Sequence, residues 1–333
     1  MDTRVATIIK NIAIKGLFKR KDIDWSLKDV NVLVGKNGSG KSTIIQSVFA
    51  LLKQELNESL SNAALAQITL ANGGTITHKV NFREIDSVQL LNLLNNLKKN
   101  SIKGKSKGKE IKELNELIEL LESKKEDTEI KEFGMGTVSV SDNIKNTKRI
   151  NVELISTINM SANSIYEFKK SDGERTTILD MEIAGELERL KNTFKVSESK
   201  GILIKDKLES AINNLFAECN KVVSFSNGNI SIKMSDSGED IRYNLLSSGE
   251  RQLLYILIKT ANTSLDESVL LMDEPEISLH LTWQERLIST IKSINDNCQL
   301  IIVTHSPAIL MKGWMDSFVD IKNISKESSH DGV

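Results

Sequence analysis

A glycine-rich segment near the N-terminus could bind phosphate. Residues 35–42 read GKNGSGKS, the spacing GxxxxGK[ST]. Glycines allow consecutive backbone N–H groups to wrap around an anion, and the start of a following helix adds partial positive charge. Lys41 could reach the β- and γ-phosphates of a nucleotide, and the Ser42 hydroxyl could ligate Mg²⁺. The predicted phosphate-binding residues are Gly35, Lys36, Asn37, Gly38, Ser39, Gly40, Lys41, Ser42 and Thr43.

Two adjacent carboxylates, Asp273 and Glu274, follow the apolar run VLLM at residues 269–272. Such a run predicts a buried strand, and open α/β sheets bind ligands beyond the carboxyl ends of their strands. Asp273 could hold Mg²⁺ directly or through water, and Glu274 could orient and deprotonate an attacking water. A solvated acidic turn would be the ordinary interpretation of this pair. Its position after a phosphate-binding loop favours the catalytic one.

Two further segments place polar residues at the ends of predicted elements. The segment LSSGERQ (246–252) precedes a predicted helix, which Ser247 or Ser248 could cap. The segment LIIVTHSP (300–307) predicts a buried strand that ends at His305. A lone histidine there is more often structural, but beside a phosphate site it could sense the γ-phosphate.

The surrounding elements would position these residues. Residues 42–54 have the 3- and 4-residue apolar spacing of an amphipathic helix. From residue 244 onward helices alternate with short apolar strands, which indicates a parallel sheet covered on both faces. The predicted strands are 6–14, 30–34, 66–70, 74–80, 149–158, 163–179, 222–234, 268–272 and 299–304. The predicted helices are 42–54, 87–99, 110–126, 180–194, 205–220, 251–262, 279–294 and 307–312.

A lysine-rich segment separates the two ends of the chain. Residues 98–112 contain seven lysines and one glutamate. The two predicted helices that flank this segment would form a helical hairpin with a basic tip, too short for a long coiled-coil arm. The lysines either form a solvated loop or contact nucleic acid or a partner, and the lack of interleaved aromatic residues argues against stacking on single strands.

Composition limits the class of protein. The chain has 333 residues, 39% hydrophobic residues and a formal net charge of −1. This excludes a mainly disordered chain and a globally basic nucleic-acid coat. No run approaches the roughly 18 apolar residues of a membrane span, the N-terminus lacks a signal peptide, and Cys219 and Cys298 are isolated. We therefore expect a soluble cytoplasmic protein with no membrane contact.

Taken in order, these segments resemble the motifs of ABC-type ATPases. LSSGERQ is similar to the ABC signature, VLLMDEPEISLH resembles Walker B with the D-loop, and VTHSP resembles the switch-histidine segment. The resemblance covers residues 1–80 and 240–315. It implies an α/β fold, an ABC ATPase head with a P-loop, a mixed or parallel sheet core, a β-rich N-terminal part and an inserted helical lobe.

The resemblance also implies roles for individual residues, with ATP and Mg²⁺ as cofactors. Glu274 and His305 would be catalytic, and Ser42 and Asp273 would bind the metal. ATP would lie between the P-loop of one subunit and the signature of another, in a homodimer or a higher oligomer. The signature residues that would bind ATP are Ser247, Ser248, Gly249 and Glu250.

Two features depart from the ABC pattern. His280 stands where many ABC proteins have the D-loop aspartate. The Q-loop glutamine could be Gln54, Gln67 or Gln89, and the sequence leaves that choice open.

Within this superfamily, DEPEISLH followed by WQ, together with THSPAIL, resembles the OLD/RecF/SMC-like branch. They also resemble the corresponding segments of bacterial anti-phage defence ATPases, such as those of the Septu and PARIS systems. The resemblance implies a sensor or regulatory ATPase that controls a separate effector, expected to be a nuclease, because only 28 residues (333 − 305) follow His305. One alternative is a RecF/SMC-like DNA-repair or chromosome-maintenance ATPase that binds duplex DNA. Another is a transporter motor, but the motif sequences of this chain match those of transporters less well.

Five segments are predicted along the chain. Residues 1–85 and 246–323 form the two parts of the ATPase core, 86–148 the inserted hairpin, 149–245 a second lobe and 324–333 a flexible tail. The two prolines flank the expected catalytic residues. Pro275 is expected to keep Glu274 in the extended strand geometry, and Pro307 to occupy the first helical position after an N-cap at Ser306.

Overall fold

The computed structural model describes residues 8–84, 132–141, 150–156, 168–169, 175–196, 198–226 and 229–328. The chain divides into two units, Met1–His78 with Val138–Val333, and Lys79–Thr137. The helices predicted at 87–99 and 110–126 and the basic tip between them lie outside the described residues. The predicted boundaries of the inserted hairpin at 86 and 148 therefore stay a prediction.

Strands and helices alternate through most of the described chain. The strands are β1 (Ile9–Leu17), β2 (Lys21–Ser26), β3 (Val30–Val34), β4 (Leu65–Leu70), β5 (Thr75–Glu84), β6 (Glu132–Val140), β7 (Asn151–Ser156), β8 (Phe168–Lys169), β9 (Arg175–Thr176), β10 (Lys221–Ser226), β11 (Asn229–Met234), β12 (Asp240–Ile241), β13 (Ser268–Asp273), β14 (Cys298–Thr304), β15 (Phe318–Asp320) and β16 (Ser325–Glu327). The helices are α1 (Lys41–Lys53), α2 (Glu58–Ser61), α3 (Ile178–Lys195), α4 (Glu198–Phe216), α5 (Ser248–Asn262), α6 (Leu281–Ile294) and α7 (Ile321–Ile324), with 3₁₀ turns at Ala217–Cys219, Tyr243–Leu245, Pro307–Leu310 and Met315–Ser317.

A five-stranded parallel sheet positions the motifs. Its strand order is β15-β3-β14-β13-β7. Asp273 pairs with Val303, and Thr304 pairs with Val34, so β3, β13 and β14 end at the same edge. The glycine loop, the two carboxylates and His305 all follow these three strand ends. The parallel register therefore brings together segments that are more than 200 residues apart.

The two faces of this sheet belong to two different cores. Successive side chains of a strand point to opposite faces, so Val269 and Leu271 pack with α1 and the antiparallel sheet, whereas Leu270 and Met272 pack with α3, α5 and α6. The antiparallel sheet has the order β16-β2-β1-β4-β5-β6. Because β13 and β14 are buried on both sides, their sequences are continuously apolar rather than alternating.

Helices α3, α4 and α5 and the three-stranded sheet β10-β11-β12 form one lobe within residues 178–262. A buried polar cluster joins this lobe to β7. Lys259 Nζ of α5 lies 3.2 Å from carboxylate oxygens of Glu186 in α3 and Glu153 in β7, and 3.2 Å from the Tyr255 hydroxyl. Burial raises the pKa of Tyr255 to about 12. Buried charges need such partners, so the cluster holds α3, α5 and β7 in one arrangement.

Most of the strands and helices predicted within the described residues are present, with shifted ends. The helix predicted at 205–220 is α4, which begins at Glu198, and the helix predicted at 307–312 is a 3₁₀ turn. The first 35 residues contain three strands rather than the two predicted, because β2 was missed. Strand β16 lies in the predicted flexible tail, where it pairs with β2. These missed strands lie toward or at the edge of the antiparallel sheet, where one solvated face weakens the apolar pattern.

Candidate functional site

The glycine loop between β3 and α1 surrounds a pocket of about 520 Å³. Gly38 and Gly40 have φ angles of 72° and 99°, which L-residues with a side chain rarely adopt. Gly40 is the N-cap of α1, and no side chain among the described residues caps that helix. The first turn of α1 itself contains no acidic residue. The pocket is lined by Phe18, Asn37, Gly38, Ser39, Gly40, Lys41, Ser42, Thr43, Glu274 and His305.

Lys41 is the buried cation of this pocket, with 4% of the residue exposed. Its Nζ donates to the carbonyl oxygens of Gly35 at 2.9 Å and Lys36 at 3.2 Å, and lies 2.9 Å from His305 Nε2. Burial lowers the pKa of Lys41, while the nearby carboxylates, Glu274 foremost, oppose that shift. Gly35 and Lys36, predicted to bind phosphate, thus contribute carbonyls that hold the lysine.

Ser42 and Asp273 meet across the sheet edge. The Ser42 hydroxyl donates to Asp273 Oδ1 at 3.0 Å. Asp273 is 1% exposed, and burial raises the pKa of its carboxyl, with the charge of Glu274 acting in the same direction. A hydroxyl and a carboxylate are oxygen ligands of the kind that Mg²⁺ prefers. The two predicted metal ligands are therefore neighbours in space.

Glu274 and His305 are also brought together, with Oε1 and Nε2 3.2 Å apart. The expectation that Pro275 keeps Glu274 extended is wrong, because Glu274 has a φ of 50°. Its N–H still bonds the Val303 carbonyl at 2.8 Å, and the chain then turns, with Ile277 N–H donating to the Glu274 carbonyl at 3.3 Å. Proline disfavours the right-handed helical region for the residue before it, and here the left-handed region is adopted instead of the extended one. Left-handed backbone at a non-glycine residue is strained and is concentrated at functional sites.

Pro307 agrees with its prediction. Ser306 is the N-cap of the turn Pro307–Leu310, and its hydroxyl accepts from the Ala308 N–H at 3.3 Å. The turn immediately after His305 is therefore rigid.

The signature segment begins α5 and lies outside the P-loop pocket. Ser247 is the exposed N-cap, and its hydroxyl accepts from Glu250 N–H at 3.3 Å. Glu250, 3% exposed, accepts in return from Ser247 N–H at 2.8 Å and from Lys221 Nζ at 2.6 Å. Among the residues that line the pocket, none belongs to the segment 247–250. Both oxygens of Glu250 therefore have protein partners that hold the segment, and its assignment to ATP binding stays a prediction.

The signature helix contacts the carboxylate loop of the same chain. Gln252 Nε2 donates to the Pro275 carbonyl at 2.9 Å. A Cβ on Gly249 would lie 2.5 Å from the Ser278 carbonyl oxygen, so only glycine permits this approach. The start of α5 and the loop after Glu274 are therefore packed backbone against backbone.

Of the residues that depart from the ABC pattern, those that the structure describes do not line the pocket. His280 is exposed, and its Nδ1 lies 3.1 Å from Thr282 Oγ1. Gln54 is the C-cap of α1, Gln67 lies in β4, and neither lines the pocket, while Gln89 is outside the described residues. The Q-loop assignment thus remains open.

The sequence did not single out two residues of the site. Phe18, with a φ of 53°, lies over Gly40 and lines the pocket. Glu276 bonds the segment that carries His305. The left-handed backbone of Phe18 has no sequence signature. The motif DEPE could have drawn attention to Glu276.

Comparison with protein families decides the classification. The family described as "AAA domain, putative AbiEii toxin, Type IV TA system" matches residues 30–311. The chain belongs to this AAA-domain family. The matched range contains the P-loop, the signature segment, both carboxylates and His305.

Three bacterial proteins resemble this AAA-domain chain in sequence. "Retron Vc95 probable ATPase" of Vibrio cholerae serotype O1 biovar El Tor is 23% identical over 354 aligned positions, 88% of this chain and 69% of that protein. "Retron Ec83 probable ATPase" of Escherichia coli is 24% identical over 152 positions, 44% of this chain and 28% of that protein. "Septu protein PtuA" of Bacillus thuringiensis is 31% identical over 101 positions, 26% of each chain. The chain thus spans under a third of the last two, and the predicted resemblance to Septu-type ATPases is confirmed.

A solved structure matches the fold. An SMC head bound to the C-winged helix domain of ScpA superposes with a TM-score of 0.52 at 11% identity, covering 96% of both chains. This likeness concerns the fold alone and confirms the predicted α/β fold class. Within the described ranges, no helix combines the length and apolar character that a membrane span requires.

Proposed function

We propose that this AAA-domain chain binds ATP with Mg²⁺ in the P-loop pocket and hydrolyses it. The observation that supports the proposal is the convergence of Lys41, Ser42, Glu274 and His305 on one pocket, where three parallel strands end. A cation, a hydroxyl, a carboxylate and a histidine around an uncapped helix N-terminus are the groups that phosphoryl transfer to water requires.

Each of these groups has a distinct task. Lys41 would exchange the carbonyls of Gly35 and Lys36 for phosphate oxygens. Ser42 and Asp273 would hold Mg²⁺, which when bound neutralises charge on the phosphates. Mg²⁺ is generally bound by one or two protein side chains together with substrate phosphates and water, which is the kind of site that Ser42 and Asp273 would provide.

Glu274 would orient the attacking water and accept its proton, and His305 would contact the γ-phosphate. Both side chains are partly accessible, at 21% and 34%, so solvent and ligand can reach them. The left-handed backbone of Glu274 directs its carboxylate from the strand end toward His305. The 3.2 Å contact between them links water activation to phosphate sensing.

We further propose that ATP is sandwiched between two copies of the chain, or within a higher oligomer. The P-loop pocket lacks the signature segment of its own chain, while Ser247 is exposed at the N-terminus of α5. A helix N-terminus favours negative charge. The Ser247 hydroxyl and the start of α5 would therefore complete the site of a second protomer, and ATP would favour the closed assembly because it binds that state better.

The biological setting we propose is anti-phage defence. The chain would act as a sensor or regulatory subunit that controls a separate effector, which we propose to be a nuclease. Its similarity to retron and Septu proteins supports this setting.

Glu274→Gln tests the enzymatic part. Loss of a general base typically costs about 10²–10⁴-fold, so turnover should fall by that order while ATP still binds. In size-exclusion chromatography with light scattering, this variant should accumulate an ATP-dependent dimer. Turnover at the wild-type rate would rule out Glu274 as the base, and a monomer at saturating ATP would rule out the sandwich.

Co-expression with the neighbouring genes tests the defence part. Native mass spectrometry with and without ATP should reveal a stoichiometric partner with nuclease activity. A homodimer that binds duplex DNA without any protein partner would instead support a RecF/SMC-like role in DNA repair or chromosome maintenance.

A further inference from the structure

Glu276 lies two residues beyond the proposed base and makes an unusual set of contacts. The residue is 9% exposed. Its Oε1 accepts hydrogen bonds from the Thr304 hydroxyl, the His305 N–H at 2.9 Å and the Ser306 N–H at 3.2 Å. Three donors from three consecutive residues thus converge on one carboxylate oxygen.

The same turn is held from a second point. The Ser306 hydroxyl donates to Gln284 Oε1 at 2.7 Å, and Gln284 Nε2 donates to the Leu279 carbonyl at 2.9 Å. The connection from β13 into α6 therefore fixes the backbone on both sides of His305. The ring of His305 is left between Lys41 Nζ at 2.9 Å and Glu274 Oε1 at 3.2 Å.

Glu276 lies behind the residues that line the pocket. It does not line the P-loop pocket, and its Oε2 is buried without a hydrogen-bond partner among the described residues. Burying a carboxylate is costly unless it is well bonded. Burial has the largest effect on the pKa of Lys41 and lowers it. The charges of Glu274, Asp273 and Glu276 raise that pKa, and the contribution of Glu276 is the smallest of the three.

We propose that Glu276 is a positioning residue that sets His305 between Lys41 and Glu274. The inference rests on the proposed ATPase function and deepens it. The carboxylate holds the N–H groups of His305 and Ser306, so the ring enters the site from a fixed backbone. Charged hydrogen bonds are roughly twice as strong as neutral ones, which makes a carboxylate more effective here than an amide.

The test compares Glu276→Gln and Glu276→Ala with Glu285→Gln, a control that removes only the ion pair with Lys312. The measurements are kcat, the dissociation constant of a fluorescent ATP analogue, and the ring signals of ¹³C-labelled histidine, with the His305 signal assigned by His305→Gln. A small displacement of a reacting group can cost about 10²-fold, so kcat should fall by roughly 10- to 100-fold for alanine and less for glutamine. Nucleotide affinity should stay within about threefold, since Lys41 and the glycine loop are retained. The His305 signal should shift, while that of His280 should not.

An unmoved His305 signal in a folded Glu276→Ala protein, or unchanged kcat, would overturn the proposal. If Glu276→Ala does not fold, Thr304→Val removes one of the three donors and should shift the same signal by a smaller amount; no shift would again overturn it. Absence of ATP turnover in the wild type would refute the proposed function instead. The histidine signal would then still decide whether Glu276 positions His305.

Discussion

The N-termini of α1 and α5 are built in opposite ways. The first turn of α1 is preceded by left-handed Gly40 and has no side-chain cap among the described residues. The first turn of α5 is closed by Ser247 and Glu250, and Lys221 neutralises the glutamate. Each helix end carries a partial positive charge, which is partly satisfied at α5 by Ser247 and Glu250 but by no side-chain cap among the described residues at α1.

This difference shows what each helix end could contribute to the proposed ATP sandwich. The end of α1 is a receptor whose shape depends on glycines and on a buried lysine. The end of α5 is stable by itself and offers the exposed Ser247 hydroxyl on a preformed surface. We therefore expect ATP to stabilise the glycine loop and the start of α1 when it binds. The start of α5 is already capped and needs no ligand to form.

The largest effect is expected at α1. Lys41→Ala should raise the dissociation constant for ATP about 100-fold or more, the equivalent of one charge-assisted hydrogen bond of roughly 3 kcal/mol. Lys53→Ala, at the other end of the same helix, is the control, because Lys53 lies over Phe49 rather than in the pocket. Equal affinity of the Lys41 variant and the wild type in calorimetric titration would contradict the receptor role of α1.

A glycine at the start of α5 comes next. Gly249→Ala should cost about 1–3 kcal/mol, because the added Cβ overlaps the Ser278 carbonyl. Gly185→Ala in α3 is matched to it, since nothing lies within 4 Å of the added Cβ there. The Gly185→Ala control should raise the free energy of unfolding by roughly 0.5–1 kcal/mol, because alanine is favoured over glycine in helix interiors. Denaturant unfolding measures the stability change of both variants. Similar changes would contradict the close contact between α5 and the carboxylate loop.

Ser247→Ala separates capping from ligand binding. Thr177→Ala is its counterpart, because Thr177 and Asp180 form the same kind of capping box on α3. Each substitution should cost about 1 kcal/mol of stability. Only Ser247→Ala should also weaken ATP-dependent dimerisation, measured in the Glu274→Gln background. Equal dimerisation in both variants would mean that Ser247 only caps α5 and does not bind the nucleotide.

The smallest effect concerns pH. Burial raises the pKa of Glu250, but hydrogen bonds from Lys221 and Ser247 outweigh it, and the pKa lies below its ordinary value. A carboxyl with a depressed folded pKa stabilises the fold above its unfolded pKa and loses that contribution as the pH falls. The unfolding free energy of the wild type should therefore drop more steeply between about pH 5 and pH 3 than that of Glu250→Gln. Parallel curves would contradict this, and the exposed Glu239→Gln serves as control.

The helices and strands around the candidate site follow local patterns in the sequence. The P-loop is encoded by glycine and lysine spacing within eight residues, and β13 and β14 by continuous apolar runs. The capping box of α5 is equally local, since three positions separate Ser247 from Glu250. Such features depend on backbone geometry and burial over a few residues, which a sequence pattern expresses directly.

Other features required the tertiary structure. The sequence assigned Glu250 to ligand binding, which stays a prediction, and only the fold shows Lys221 bonded to its carboxylate. The sequence pattern also did not predict the left-handed backbone of Glu274. Nor did it predict the three hydrogen bonds that Glu276 accepts across the sheet edge.

By itself, then, the sequence determined that this chain has a phosphate-binding loop, a carboxylate pair and a signature helix on an α/β scaffold. The tertiary structure decided which side chains meet: Ser42 with Asp273, Lys41 with His305, and Glu276 with the turn that carries His305. The physical reason is distance along the chain. Local patterns fix secondary structure, whereas contacts between strand ends far apart in sequence arise only when the parallel sheet sets its register.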